Sequence, residues 1–116
     1  MTKGKVVLVP FPFDDLTANK VRRAVCLTDP IGSHRHVIVA FISSQIPKTP
    51  TGTDVALDPG RNDIAATGLR VAPVLRLHRL VTLTTGLIVR QLGKLSPPWQ
   101  QEVDKKLALL FGLRGP

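Results

Sequence analysis

The chain has 116 residues and carries 16 Lys and Arg against 8 Asp and Glu, a net charge of +8 with a pI near 10.6. Apolar residues make up 43% but aromatics only 4%, with no Tyr and one Trp. This excludes a multidomain assembly, a membrane-spanning helix and a base-reading sheet of stacked aromatics, and it points to an anionic partner. Nucleic acid leads among such partners, and a membrane surface or an acidic protein is the alternative. The single cysteine, Cys26, excludes an intrachain disulfide and lies in an apolar run, so it reads as a small core residue. One cysteine and no signal-peptide layout predict a cytoplasmic protein.

In chain order, "KVVLV" (Lys5–Val9) is a β-branched run and reads as a strand. "PFPFDDLTANK" follows as a long loop, marked by two prolines and Asp-Asp. Arg23–Thr28 is the second predicted strand and "DPIGSHRH" a turn, with His34 and His36 flanking Arg35 at a basic hairpin tip. "HVIVAFI" (His36–Ile42) is a continuous apolar run that fits a strand buried on both faces. Residues 43–53 read as loop, Asp54–Leu57 as a brief strand, and Val71–Leu77 and Leu80–Thr84 as two further strands. Ser96-Pro97 is a helix-start signal, and Trp99, Val103, Leu107 and Leu110 recur at helical spacing. A helix over about Pro97–Phe111 is expected. The sum predicts a mainly β fold, a small antiparallel β-barrel with a C-terminal α-helix, and no interior linker divides residues 1–116.

Phosphate-cradling glycine motifs and zinc-spaced Cys–His clusters are missing from the sequence. Asp14 and Asp15 are adjacent, and Asp58, Asp63 and Glu102 are scattered, so no metal site and no cofactor is expected. Metal-free cleavage of RNA needs little equipment, because the ribose 2′-hydroxyl already lies beside the phosphate. The protein must orient it, move two protons and stabilise charge on the phosphoryl oxygens. Arginine suits the last task through its planar, permanently charged fork. Arg22 and Arg23 are candidates, but neighbours on a strand face opposite ways, so only one can enter a given groove. An exposed, charged strand edge is the alternative for them. Ser43 and Ser44 end the apolar strand, either as phosphate-binding hydroxyls or as turn serines. Arg76 and His78 stand two apart in "VLRLHRL" and share a strand face, with Leu75, Leu77, Val81 and Leu83 on the other. That pair is either a phosphate grip beside a proton-transfer group or an exposed polar face.

The blocks "GKVVLVPFPFDDL", "KVRRAVCLTD", "VIVAFISSQI" and "GLIVRQLGKLS" with the following helix resemble, in order and separation, the MazF/PemK family of toxins from toxin–antitoxin pairs. The likeness runs from about Gly4 to Leu110. It implies an SH3-like barrel, a homodimer, and a metal-independent endoribonuclease acting on single-stranded mRNA at short sequences. It also implies a cognate antitoxin whose acidic tail covers the RNA groove. Residue by residue, Arg22 takes the family's catalytic arginine position, where Arg23 replaces the usual proline. Ser43 takes the position of the catalytic Thr or Ser. In the PemK/Kid branch an Arg-x-Asp pair acts in catalysis, and here the pair is Arg76-x-His78, with the aspartate lost. Residues and resemblance together give Arg22 and Ser43 as catalytic with Arg76 and His78 as auxiliary catalytic residues, and Lys20, Arg23, Ser44 and Gln45 beside them are expected to bind substrate. The loops Pro12–Val21 and Gln45–Thr53 are expected to read the RNA bases. Two other outcomes stay open at this point. One is a gyrase-binding poison like the CcdB toxins, which share the barrel, and the other is an RNA-binding barrel without chemistry.

Overall fold

The computed structural model describes residues 2–10, 20–43, 49, 51–57 and 73–113. Among them are six strands: β1 (Lys5–Pro10), β2 (Val21–Cys26), β3 (His36–Ser43), β4 (Asp54–Ala56), β5 (Val74–Thr84) and β6 (Arg90–Lys94). They form one sheet in the order β4-β5-β3-β2-β1-β6, and every pairing is antiparallel. The sheet makes a half-barrel, closed at one side by the helix α1 (Pro97–Leu110).

Pleating splits the core in two. Val6, Val25, Ala40, Ile42, Val55, Leu75 and Leu77 project to one face, where Trp99 and Val103 of α1 pack on them. Val7, Val9, Ala24, Cys26, Val39 and Phe41 alternate with these and are buried on the other face. The uninterrupted apolar run of β3 follows directly, because a strand covered on both sides needs no polar phase. The expected helix is present. Pro97 and Pro98 occupy its first turn, where a missing N–H leaves no bond unmade. Gly4 takes a φ of +90°, donates its N–H to the Cys26 carbonyl at 2.7 Å and accepts from the Leu95 N–H at 2.8 Å. That φ is one that residues with a side chain rarely adopt, so glycine suits this start of β1, and the Gln100 side chain of α1 packs over it.

The structure departs from expectation in three places. First, the sequence marks no element between Thr84 and Ser96, yet β6 pairs with β1 from Lys5↔Lys94 to Leu8↔Arg90. "RQLGK" carries one large apolar residue and no alternation, and its partner alone makes it a strand. Second, β2 starts at Val21, since Val21 and Arg22 pair with Pro10 and Val9, and it ends at Cys26. Third, the two strands expected around residues 71–77 and 80–84 are one strand, β5. Its pairing with β3 jumps from Phe41↔Arg76 to Ala40↔Leu80, leaving three residues looped out opposite a single step. An odd insertion inverts the alternation. Leu75 and Leu77 therefore join the Trp99 core, whereas Val81 and Leu83 join the opposite one. They do not share a face as the period-two reading had it.

Cys26 is fully buried, and burial pushes its thiol up to about 11 against a smaller opposing pull from Lys5. The thiol stays neutral through the physiological range. Native protein at pH 7.5 should resist a thiol reagent such as DTNB for as long as it stays folded, and react once denatured. Rapid labelling of folded protein would contradict this placement.

Candidate active site

Register brings the functional side chains together. On β2, Arg22 lies opposite Val9 and Arg23 opposite Leu8, so the two arginines leave the strand on opposite faces. Arg22 enters a small cleft of about 40 Å³ lined also by Phe41, Ile42, Ser43, Arg76 and Arg79. Ser43 is the last residue of β3 and pairs with Val74. Arg76 pairs with Phe41 on one side and Asp54 of β4 on the other. Three of the four catalytic candidates, Arg22, Ser43 and Arg76, thus line one cleft. Arg23 lines a separate cavity with Leu8, Val21 and Ile42, which Arg22 also borders. Lys20 is exposed just ahead of β2 and lines neither cavity. Ser44, Gln45 and most of the two base-reading loops lie outside the described residues, as do Asp14, Asp15, Asp58 and Asp63.

Arg76 and His78 meet at a carboxylate. Asp54 Oδ1 accepts a hydrogen bond from Arg76 Nε at 3.1 Å and lies 4.0 Å from His78 Nδ1. Its Oδ2 accepts from the Thr51 backbone N–H at 2.9 Å, and its carbonyl oxygen accepts from Lys106 Nζ of α1 at 2.7 Å. The Asp54 side chain is only 7% exposed, and Arg76 and His78 are 19% and 39% exposed. Burial opposes ionisation of Asp54, but the Thr51 N–H and the Arg76 guanidinium outweigh it and hold the carboxyl below its ordinary range. Asp54 is therefore an anion at any neutral pH. Its ion pair stabilises the fold above the ordinary carboxylate pKa, and that contribution is lost as pH falls through the lowered value.

Sequence reasoning missed Asp54 and Arg79. Asp54 sits 22 positions before Arg76, and only the pairing of β4 with β5 joins them. Period-two alternation assigns Arg79 to the face of Leu75 and Leu77. The three-residue insertion instead places its guanidinium 5.9 Å from the centre of the Phe41 ring, at the cleft wall. The hairpin tip, by contrast, stands apart. The His34 and His36 rings lie 5.8 Å apart there, and Arg35 takes a φ of +52°. Seven residue steps along β3 separate His36 from Ser43, roughly 23 Å of extended chain.

Chemically the cleft offers three guanidinium groups and a hydroxyl, with an imidazole and one carboxylate alongside. That set suits a phosphodiester, whose oxygens accept from arginine forks while the imidazole can carry a proton. Among the described residues, no three His, Cys, Asp or Glu side chains come together to hold a metal ion, and no helix is long and apolar enough to cross a membrane.

Comparison with known proteins gives the family and the fold. A family model described as PemK-like, MazF-like toxin of type II toxin–antitoxin system matches residues 2–111. No curated protein matches the chain at a significant level. Among solved structures, the Mycobacterium tuberculosis toxin MazF-mt6 superposes with a TM-score of 0.72 at 20% identity, over 96% of this chain and 99% of that one. An endoribonuclease in complex with its cognate antitoxin from a mycobacterial species gives 0.69 at 18% identity, over 100% and 99%. MazF in the MazE–MazF complex of Deinococcus radiodurans gives 0.69 at 18%, over 98% and 97%. At these identities the solved structures establish the shared fold, and the family match covers nearly the whole length: the chain belongs to the PemK-like, MazF-like toxins of type II toxin–antitoxin systems.

Proposed function

We propose that the protein is a metal-independent endoribonuclease that cuts single-stranded RNA in the cytoplasm as the toxin of its pair, with residues 1–116 as one toxin domain. The observation that carries this reading is the convergence of Arg22, Ser43 and Arg76 from three different strands on one cleft. Arg22 stabilises the charge that builds on the phosphoryl oxygens and serves the leaving group. Ser43 orients the phosphate by a hydrogen bond, and Arg76 and His78 assist. The 2′-oxygen bonds to phosphorus as the bond to the 5′-oxygen breaks. The 2′-hydroxyl gives up its proton and the 5′-oxygen gains one. The products are a 2′,3′-cyclic phosphate and a free 5′-hydroxyl, and DNA, which lacks the 2′-hydroxyl, is spared.

The +8 charge supports two anionic partners, RNA and the acidic tail of a cognate antitoxin. The mycobacterial endoribonuclease complex and the Deinococcus MazE–MazF complex named above pair such a fold with an antitoxin, which supports that partnership here. A homodimer fits the family. Lys20 precedes β2 and Arg23 lies on it, and with Ser44 and Gln45 they are assigned to holding the substrate.

The test is incubation with a long single-stranded RNA in EDTA, followed by end-group analysis. Cleavage leaving 5′-hydroxyl ends is expected. Intact RNA together with inhibition of DNA gyrase would overturn the reading in favour of a protein-directed poison.

A further inference from the structure

We infer that Asp54, on the neighbouring strand β4, is the positioning residue of this site: one carboxylate oxygen orients both Arg76 and His78 toward the scissile phosphate. The inference rests on the nuclease reading above and adds to it a residue that no sequence motif marks.

The geometry separates two tasks. Arg76 offers five N–H donors on three nitrogens. Asp54 Oδ1 takes the Nε donor at 3.1 Å, which fixes the guanidinium plane and directs the terminal nitrogens Nη1 and Nη2 to the substrate. His78 meets the same oxygen through Nδ1, at 4.0 Å. A carboxylate on the Nδ1 side favours the tautomer with hydrogen on Nδ1 and leaves the Nε2 lone pair to accept a proton. Catalytic contacts of this kind are often long without substrate and shorten when it binds. In the resulting step Nε2 takes the proton of the 2′-hydroxyl, the 2′-oxygen bonds to phosphorus, and the bond to the 5′-oxygen breaks. The 5′-oxygen takes a proton from solvent water as it leaves, while the Arg22 guanidinium stabilises the charge that builds on it. Asp54 itself stays ionised throughout.

Asp54 is well placed to hold others still because it is itself held. The Thr51 N–H fixes Oδ2, Lys106 Nζ fixes the main-chain carbonyl, and Val55 next to it is buried in the Trp99 core. A surface aspartate pairing casually with an arginine has no such support.

The test compares single-turnover cleavage of one RNA by the wild type, Asp54→Asn, Arg76→Ala/His78→Ala and the triple variant. Asp54→Asn should lower kcat by about 10- to 100-fold, the scale of a misaimed catalytic group, and leave KM within about threefold. Added to Arg76→Ala/His78→Ala it should cost nothing more, because the groups it positions are gone. Lys105→Ala removes a neighbouring charge from the exposed face of α1 without touching Asp54, and should cleave at the wild-type rate. Should Asp54→Asn fail to fold by circular dichroism, Asp54→Ser carries the same comparison, since its hydroxyl can still accept from the Thr51 N–H. A wild-type rate in the Asp54 variant, or an undiminished loss in the triple variant, overturns the assignment and leaves the nuclease reading standing. No cleavage by the wild type overturns both.

Discussion

Arg22→Ala should abolish detectable RNA cleavage, a loss of at least about 10²- to 10³-fold in kcat, and leave the protein folded. Two features of the structure separate these effects. Arg22 is exposed near the open end of β2, with its backbone paired to Val9, so truncation removes no core volume and its cost in stability should stay within about 0.5 kcal/mol. Its guanidinium is nevertheless one of three at the cleft, and it faces Ser43 and Arg76 across the β2–β3 and β3–β5 ladders. Arg90→Ala is the internal control, because it removes the same charge from β6, where the side chain is exposed and lines neither cavity. Gel analysis of single-turnover cleavage with circular dichroism on the same samples decides the matter. Full activity in a folded Arg22→Ala protein would remove Arg22 from the chemistry.

Trp99→Ala should have the largest effect on stability, a loss of about 3–5 kcal/mol. Trp99 is 4% exposed and belongs to the core built from Val6, Ile42, Val55, Leu75 and Leu77. It is the chief anchor of α1, whose only other fully buried residue is Val103. Removing it opens a cavity between helix and sheet and frees α1 from the β4–β5 edge. For a domain of this size the melting temperature should fall by roughly 10–20 °C. The effect should extend to the cleft, because Lys106 on the same helix bonds the carbonyl of Asp54. Thermal denaturation followed by far-ultraviolet circular dichroism measures the first effect, and a fall of less than about 1 kcal/mol would show that the helix docks by other contacts.

Local pattern made much of this protein legible. β1 and β3 are β-branched runs with no competing helical period, and α1 announces itself through Ser96-Pro97 and the spacing from Trp99 to Leu110. Arg22 and Ser43, which share one cleft, stood out as candidates because they lie at the ends of strong apolar strands and in blocks with a family likeness. What stayed hidden depends on contacts between distant segments. β6 is a strand only because β1 offers it hydrogen bonds. Asp54 becomes a site residue only once β4 pairs with β5, and no period relates it to Arg76. Arg79 was misread for a geometric reason, since strict alternation fails where three residues bulge opposite one step.

That bulge also governs how the strand can move. Along β5 the apolar residues 75, 77, 81 and 83 all fall on odd positions, interrupted by Arg79, yet they fill opposite sides of the sheet. Such a ribbon is pinned like a bolt threaded in two directions. Sliding it by one residue would expose leucines at both ends at once, so slippage is penalised twice instead of once. Arg76, His78 and Arg79 ride at or beside the crossing point, and their spacing is thereby protected from the commonest error of β-sheets. A deletion within residues 77–79 would put the two halves back in step, and its damage would be one of aim more than of lost contacts.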